Sequence, residues 1–414
     1  MVLSVSLLGI ELFQNMKNIK HLLGFALTLI LTAASAQQSI DNTFGKGIRV
    51  IALDSSFSMT FNYRMQNLMM AEMPSGLESF GNVSSNWLVR RSRLKFSGFA
   101  YSPKLQYKIE LGLSNRDHGG ESPETNNTSN LILDAFIRWK VLNNFEVWLG
   151  QTKLPGNRER VISSQKLQFV DRSLVNSRYN IDRDMGIQFH NKFDVAGILT
   201  KQAFAISQGE GRNRTSDNGG GLEYTGRVEI LPMGEFTGKG DYFGSDLKRE
   251  VTPKLSIGAS YDFNDRAPRE RGNLGSYVVD TAYNSLNTVF VDLMFKVRGW
   301  SIMAEYANKN ATGDRLLDDD DAFVSNYYTG TGLTIQAGYL LKNNLECAVR
   351  YSSITPELAS GRDLQKMYTL GISQYIVGHS LKVQSDFSYL VETERIEGTD
   401  WGRYIFRFQV ELAF

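Results

Sequence analysis

Cysteine occurs once in the 414 residues, at Cys347, so no internal disulfide framework supports the fold. Histidine numbers only 4 and proline 8. The histidines beyond the first 36 residues, His118, His190 and His379, sit beside no evident nucleophile, and their neighbourhoods carry no metal-ligand spacing. The expectation is a protein that is not an enzyme and carries no cofactor or metal. An excess of either charge is also missing. The chain has 45 Lys+Arg against 44 Asp+Glu, and without residues 1–36, which hold Lys17, Lys20 and Glu11, the tally is 43 against 43. That balance excludes a nucleic-acid binder, whose affinity rests on a basic surface. After residue 36 no stretch reaches the roughly 20 apolar residues of a spanning helix. Any passage through a membrane must therefore use strands.

The amino-terminal end carries the one apolar run. Met16 opens the basic segment MKNIKH, followed by LLGFALTLILTA and Ala34-Ser35-Ala36. A basic region, an apolar region and a small-residue cleavage site together predict a secretory signal peptide over 1–36, with Met16 a candidate start. The chain is expected to be exported, and residues 37–55 form a short periplasmic lead-in.

Strict alternation dominates the rest. In SFSMTFNYRM, Phe57, Met59, Phe61, Tyr63 and Met65 share one face, with Ser58, Thr60, Asn62 and Arg64 opposite. The closing stretch RYIFRFQVELAF sets Tyr404, Phe406, Phe408, Val410, Leu412 and Phe414 against Arg403, Arg407, Gln409 and Glu411. Period two over about ten residues marks a strand with one apolar and one polar face. Such segments fall near 56–65, 88–101, 104–114, 131–141, 144–151, 184–193, 197–207, 221–231, 254–263, 288–298, 300–307, 331–341, 344–353, 366–375, 380–390 and 403–414. Their connections alternate short and long, apart from a fairly short one near 208–220 and an overlong one near 232–253.

A meander with short turns at one end and long loops at the other predicts an all-β fold. The expected form is a transmembrane antiparallel up-and-down β-barrel of about 16 strands over 56–414, in the Gram-negative outer membrane. Aromatics such as Trp139, Trp148, Trp300, Tyr351, Tyr389 and Phe414 are expected on the lipid-facing girdle. The opposite face carries full charges, which a soluble sandwich core would not bury unpaired. Sixteen strands enclose water, so the polar face lines a pore. Its predicted charges are nearly balanced.

Two segments stand out within that pore. WLVRRSRLKF puts Arg91, Arg93 and Lys95 on one strand face, about 7 Å apart at two-residue spacing. Such a column can pass an anion from site to site. LGQTKLPGNRERVISSQKLQFVDRS, Leu149–Ser173, carries five cations and two anions and follows neither a strand nor a helix period. As the third outer loop, 152–183, its mixture of apolar residues and cations predicts an inward fold that narrows the pore. Arg158 and Arg160 are then candidate anion contacts. The run Asp318–Asp321 reads as a solvated acidic loop tip.

The sequence resembles the phosphate-selective porin O and P family of outer-membrane porins. The likeness lies in VRRSRLKFSGFAYSPKLQYKIELGL, in LDAFIRW from Leu133, in the Leu149–Ser173 segment and in the terminal strand ending at Phe414. It implies a sixteen-stranded homotrimeric channel for phosphate or related small anions, narrowed by its third loop. Membrane lipids and lipopolysaccharide are its implied surroundings. Arg90 or Arg91, Asp134 and Lys153 match the family's anion-contacting positions, and the terminal aromatic resembles a barrel-assembly signal. A general solute porin stays open. So does a structural or partner-binding barrel joined to other outer-membrane proteins.

Overall fold

A computed structural model describes residues 38–39, 43–76, 83–118, 125–216, 218–278, 283–313, 316–317, 323–325, 327–395 and 398–414. The segment 1–36 and the run Asp318–Asp321 lie outside the described residues.

Sixteen antiparallel strands form a closed barrel. They are β1 (Phe57–Pro74), β2 (Ser84–Ala100), β3 (Ser102–Gly112), β4 (Ile132–Lys140), β5 (Phe145–Lys153), β6 (Arg183–Val195), β7 (Ile198–Ser207) and β8 (Glu223–Leu231), followed by β9 (Lys254–Asn264), β10 (Leu286–Val297), β11 (Trp300–Ala311), β12 (Gly330–Leu340), β13 (Leu345–Pro356), β14 (Leu364–Val377), β15 (Leu381–Thr393) and β16 (Asp400–Ala413). Each strand pairs with the next, and β16 closes on β1 in a register running from Arg403↔Pro74 to Ala413↔Arg64. Closure removes the edges that hydrocarbon would not tolerate.

Pleat and burial agree with the alternation. On β10, Thr288, Phe290, Asp292, Met294 and Lys296 are buried inside, while Val289 and Val291 are exposed on the outer face. Trp139 and Trp300 lie on that outer face. Trp148 does not. It shares its parity on β5 with Glu146 and lines the lumen, so its place in the girdle is corrected.

The short turns gather at one end, the periplasmic end of such barrels. Two of them, Ala196-Gly197 and Arg298-Gly299, place both central residues at positive φ, the backbone twist that a two-residue hairpin favours. The first two strands are longer than the alternation indicates, at 18 and 17 residues. The extra turns of β1, in QNLMMAEMP, mix apolar and polar residues and so hide the period. The lead-in is also more than a tail. Ile48–Ile51 pairs with β1 from Ile48↔Phe61 to Ile51↔Ser58, covering the part of β1 that lies beyond the end of β16.

Two connections turn into the barrel. One is the third outer loop, between β5 and β6. The other is the overlong connection 232–253, between β8 and β9, which enters from the periplasmic end. Together they fill one side of the lumen.

Candidate functional site

The third loop is built from short pieces. Its base is clamped where Leu154 N donates to Asp182 O at 3.0 Å. A helix α1 (Arg158–Val161) and a 3-10 turn (Ser164–Lys166) follow, then a second helix α2 (Leu174–Tyr179). Ser173 caps α2, its Oγ accepting from Asn176 N at 3.2 Å, and the Glu159 carboxylate accepts from Ser173 N at 2.9 Å. Side chains of this kind satisfy the orphan N–H groups of a helix start.

The loop binds the wall formed by β9–β16. Leu154, Val175, Tyr179 and Ile181 pack with Phe290, Ala307, Ile354 and Met367, while Ile162 and Leu167 pack with Leu231, Phe236, Met294 and Met303. Each large apolar side chain so buried contributes on the order of 1.5–3 kcal/mol. Polar groups complete the fit. The Gln168 amide donates to Ser301 Oγ and Glu346 Oε1, both at 2.8 Å, and accepts from Gln336 Nε2 at 2.9 Å. Glu305 accepts from Asn157 Nδ2 at 2.9 Å and from Glu159 N at 3.0 Å. Val170 N donates to Asp386 at 3.1 Å. Glycines on the wall make room. A Cβ on Gly371 would stand 2.8 Å from the Phe169 ring.

The periplasmic connection meets the loop from below. Gly244 N donates to Lys166 O at 2.8 Å, and the Lys166 ammonium lies 3.8 Å from the centroid of the Phe243 ring. Lys296, fully buried, donates to the carbonyls of Gly240, Phe243 and Ser245 at 2.7–2.8 Å.

A cavity of about 720 Å³ remains along the other wall, lined by β2–β8, the facing edge of the third loop and the rim of the periplasmic connection. Twelve cationic side chains and five carboxylates line it. The lumenal charge that reads as nearly balanced along the strands is therefore segregated. Asp292, Glu305, Glu346 and Asp386 of β9–β16 are spent on the third loop, and cations outnumber carboxylates on the open side.

The predicted residues separate by position. Arg90 and Arg91 both reach Asp171. Arg90 donates to it at 2.9 and 3.1 Å, and Arg91 at 3.1 Å while also donating to Gln66 at 2.6 Å. A β-bulge, where Gln66 faces Arg91 and Asn67 faces Val89, lets two consecutive residues point to one side. The family likeness left a choice between them; they act as a pair. Burial opposes ionisation of Asp171, but the two guanidiniums outweigh it and hold its carboxyl well below the usual range. Arg93 pairs with Asp117 at 2.6 Å and Glu110 at 3.2 Å. Asp134 bridges Lys108 at 2.6 Å and Arg183 at 2.8 Å. Arg160 lines the cavity and pairs with Asp182.

Two expectations change. Arg91 and Arg93 are not a column of free cations, because both are ion-paired; on that strand Lys95 makes no salt bridge among the described residues. Arg158 does not face the cavity. It is fully buried on the filled side, with Nε 2.5 Å from Asp292 and Nη2 3.4 Å from Glu229. It fastens the loop.

Of the twelve cavity cations, eight pair with a carboxylate. Lys153, Lys166, Arg172 and Lys239 have no such partner among the described residues. Lys153 Nζ donates to Arg160 O at 2.6 Å and Ile162 O at 3.2 Å, and Arg172 donates to Glu159 O at 3.0 Å and Ile162 O at 2.9 Å. Both side chains thus converge on carbonyls at the end of α1. Burial, with Lys95 and Lys239 nearby, lowers Lys166 to about 8. Sequence reading counted Arg172 and Lys166 among the loop's cations but carried no signal that separated them from their paired neighbours.

A sixteen-strand barrel with a loop folded into an aqueous, charged lumen is an outer-membrane porin. The chain belongs to the phosphate-selective porin O and P family, whose pattern matches residues 78–400. A relative in Aquifex aeolicus (strain VF5), described as an uncharacterized protein, is 25% identical over 343 residues, 76% of this chain and 78% of its own. Among solved structures, the outer-membrane channel DcaP of Acinetobacter baumannii aligns with TM-score 0.54 at 13% identity, over 87% of this chain and 98% of its own. An anion-selective porin from Comamonas acidovorans aligns with TM-score 0.52 at 11% identity, over 86% and 100%. A loop-deletion mutant of OmpT from Vibrio cholerae gives 0.53 at 10% identity, over 87% and 100%. At these identities the likeness is one of fold.

Proposed function

We propose that this porin is a passive diffusion channel for small anions, phosphate among them, and that the third loop with its cations forms the narrow zone of the pore. The observation that carries the reading is the set of cations without carboxylate partners. Lys153 and Arg172 stand together on the cavity edge of the loop, both donating to Ile162 O, and Lys166 lines the same cavity near Lys95 and Lys239. In a confined lumen a cation held only by carbonyls attracts anions more than one already paired. Arg160 and Lys95 add to the local potential. Arg90, Arg91 and Arg93 work through their ion pairs, which keep Asp171, Asp117 and Glu110 from offsetting it, and Asp134 orders Lys108 and Arg183. Arg158 keeps the loop on the far wall. Export by a signal peptide over 1–36, a homotrimeric assembly and a lipid and lipopolysaccharide environment belong to the same reading.

The test is electrical. Purified protein in planar bilayers should conduct, and its reversal potential in a potassium chloride gradient should carry the sign of anion preference. Added phosphate should reduce the chloride current by competing for the same cations. A cation-signed reversal potential, or no current, would sink the proposal.

A further inference from the structure

Inward positions of a porin strand face water and are expected to be polar, yet Phe136 and Trp148 both line the cavity. With His190 they form a row across three successive strands, β4, β5 and β6. Phe136 stacks on Trp148 with ring centroids 5.0 Å apart and planes 24° from parallel, and Trp148 stacks on His190 at 4.1 Å and 27°. Hydrogen bonds fix the row. Trp148 Nε1 donates to Glu146 at 3.1 Å, and His190 Nε2 lies 3.0 Å from Gln188 Oε1. A cation stands against it, with the Arg138 guanidinium 5.6 Å from the Trp148 ring centroid. Arg138 Nη2 donates to Gln106 Oε1, while the pairing of its Nε with Glu146 is loose, at 3.7 Å, so the group keeps Nη1 and its charge for an oxyanion.

Inorganic phosphate has no apolar surface and gains nothing from such rings. A flat organic group does, since aromatic pairs in offset or edge contact are worth about 0.5–1.5 kcal/mol beyond burial of area. A guanidinium also gives a carboxylate or phosphate a charge-assisted hydrogen bond, stronger than a neutral one. Space is not limiting, because a cavity of about 720 Å³ falls within the ~300–1,000 Å³ typical of small-molecule sites. Trp148 lies five residues before Lys153 on β5, roughly 16 Å along the strand. The row is thus a second station, on the periplasmic side of the loop cations.

We infer that Phe136, Trp148 and His190, with Arg138, form a binding ledge for organic anions that join a flat ring to a phosphate or carboxylate. The assignment rests on the anion-channel reading and names a solute class for the same lumen. The ring lies along the stack and the charged head meets Arg138 before or after it meets the loop.

The experiment measures current block of the reconstituted full-length channel by phenyl phosphate, benzoate, inorganic phosphate and benzyl alcohol. Phenyl phosphate and benzoate should each block at a concentration about ten-fold below that for inorganic phosphate. Trp148→Ala should erase that advantage, Trp148→Phe should keep most of it, and Arg138→Gln should weaken block by the ring anions but not by benzyl alcohol. Persistent potassium chloride current identifies folded channels, and the Phe and Gln variants keep the test decisive where the Ala variant fails to assemble. Equal block by phenyl and inorganic phosphate in the wild type, or an unchanged ratio in the folded Trp148→Ala channel, would overturn the ledge. Block by benzyl alcohol as strong as that by phenyl phosphate would make it a site for neutral rings and overturn the organic-anion assignment. A cation-signed reversal potential with the ring effect intact would locate the failure in the anion reading instead.

Discussion

The two sides of this lumen are built from the same alternating strands and end as opposites. Along β9–β16 several inward charges are buried against the inserted segments. Asp292 meets Arg158 of the loop, Glu305 meets backbone and amide donors, and Lys296 meets three carbonyls. Along β2–β8 the inward charges face an open cavity with twelve cations and five carboxylates. The difference teaches that a porin's charge cannot be summed over its strands. A loop that crosses the lumen takes acids of one wall for its own support and presents its own cations Lys166 and Arg172, with Lys153 at the end of β5, to the open side.

The comparison breaks most severely if the loop is released. Arg158→Ala removes one member of a buried ion-pair cluster, a change that costs about 3–5 kcal/mol. It should raise single-channel conductance and lower the thermal unfolding midpoint; a channel with unchanged conductance and midpoint would mean the loop is held elsewhere. Charge reversal sharpens the contrast next. Lys153→Glu on the open side should lower the anion-to-cation permeability ratio about ten-fold or more, as expected for a unit charge within a few ångström of the path. Lys296→Gln on the filled side should destabilise the barrel and leave the reversal potential where it was. Equal shifts in both variants would erase the distinction between the walls.

Smaller effects follow from the loop edge itself. Lys166, lowered to about 8, is mostly protonated at pH 7 and mostly neutral at pH 9. Anion preference should therefore fall, by about two-fold or less, as pH rises through 8. The neighbours that share this field are Lys95 and Lys239, with Phe243 stacked on the ammonium. Lys166→Met should flatten the pH profile, and a step that survives the substitution would assign it to another group. The mildest test is Gly371→Ala. The added methyl meets the Phe169 ring, and crowding of this kind costs about 1–3 kcal/mol. A modest drop in unfolding temperature with unchanged selectivity is the expected result.

Legibility in the sequence followed the physics of each feature. All sixteen strands could be read because a wall with lipid on one side and water or polar packing on the other imposes period two on every strand. The upper part of β1 was missed where it rises beyond that constraint and the period dissolves. Trp148 was misplaced because aromatics suit a girdle, although its parity with Glu146 pointed inward. The overlong connection 232–253 stood out by length alone, and nothing in its composition says that it enters the barrel. Arg90 and Arg91 sit on opposite faces of any regular strand, and only a bulge brings both to Asp171. The loop's cations were all visible, but Arg158 and Arg160, two residues apart, have different fates because α1 turns one toward Asp292 and the other toward the cavity.

The sequence by itself determined the barrel, its strand count, its family and the basic character of the third loop, since these rest on local periodicity and composition. Which cations face water without a carboxylate was decided only by tertiary structure. Pairing depends on residues far apart in sequence, from Arg160 and Asp182 at a separation of 22 to Arg158 and Asp292 at 134, which the path of the loop brings together.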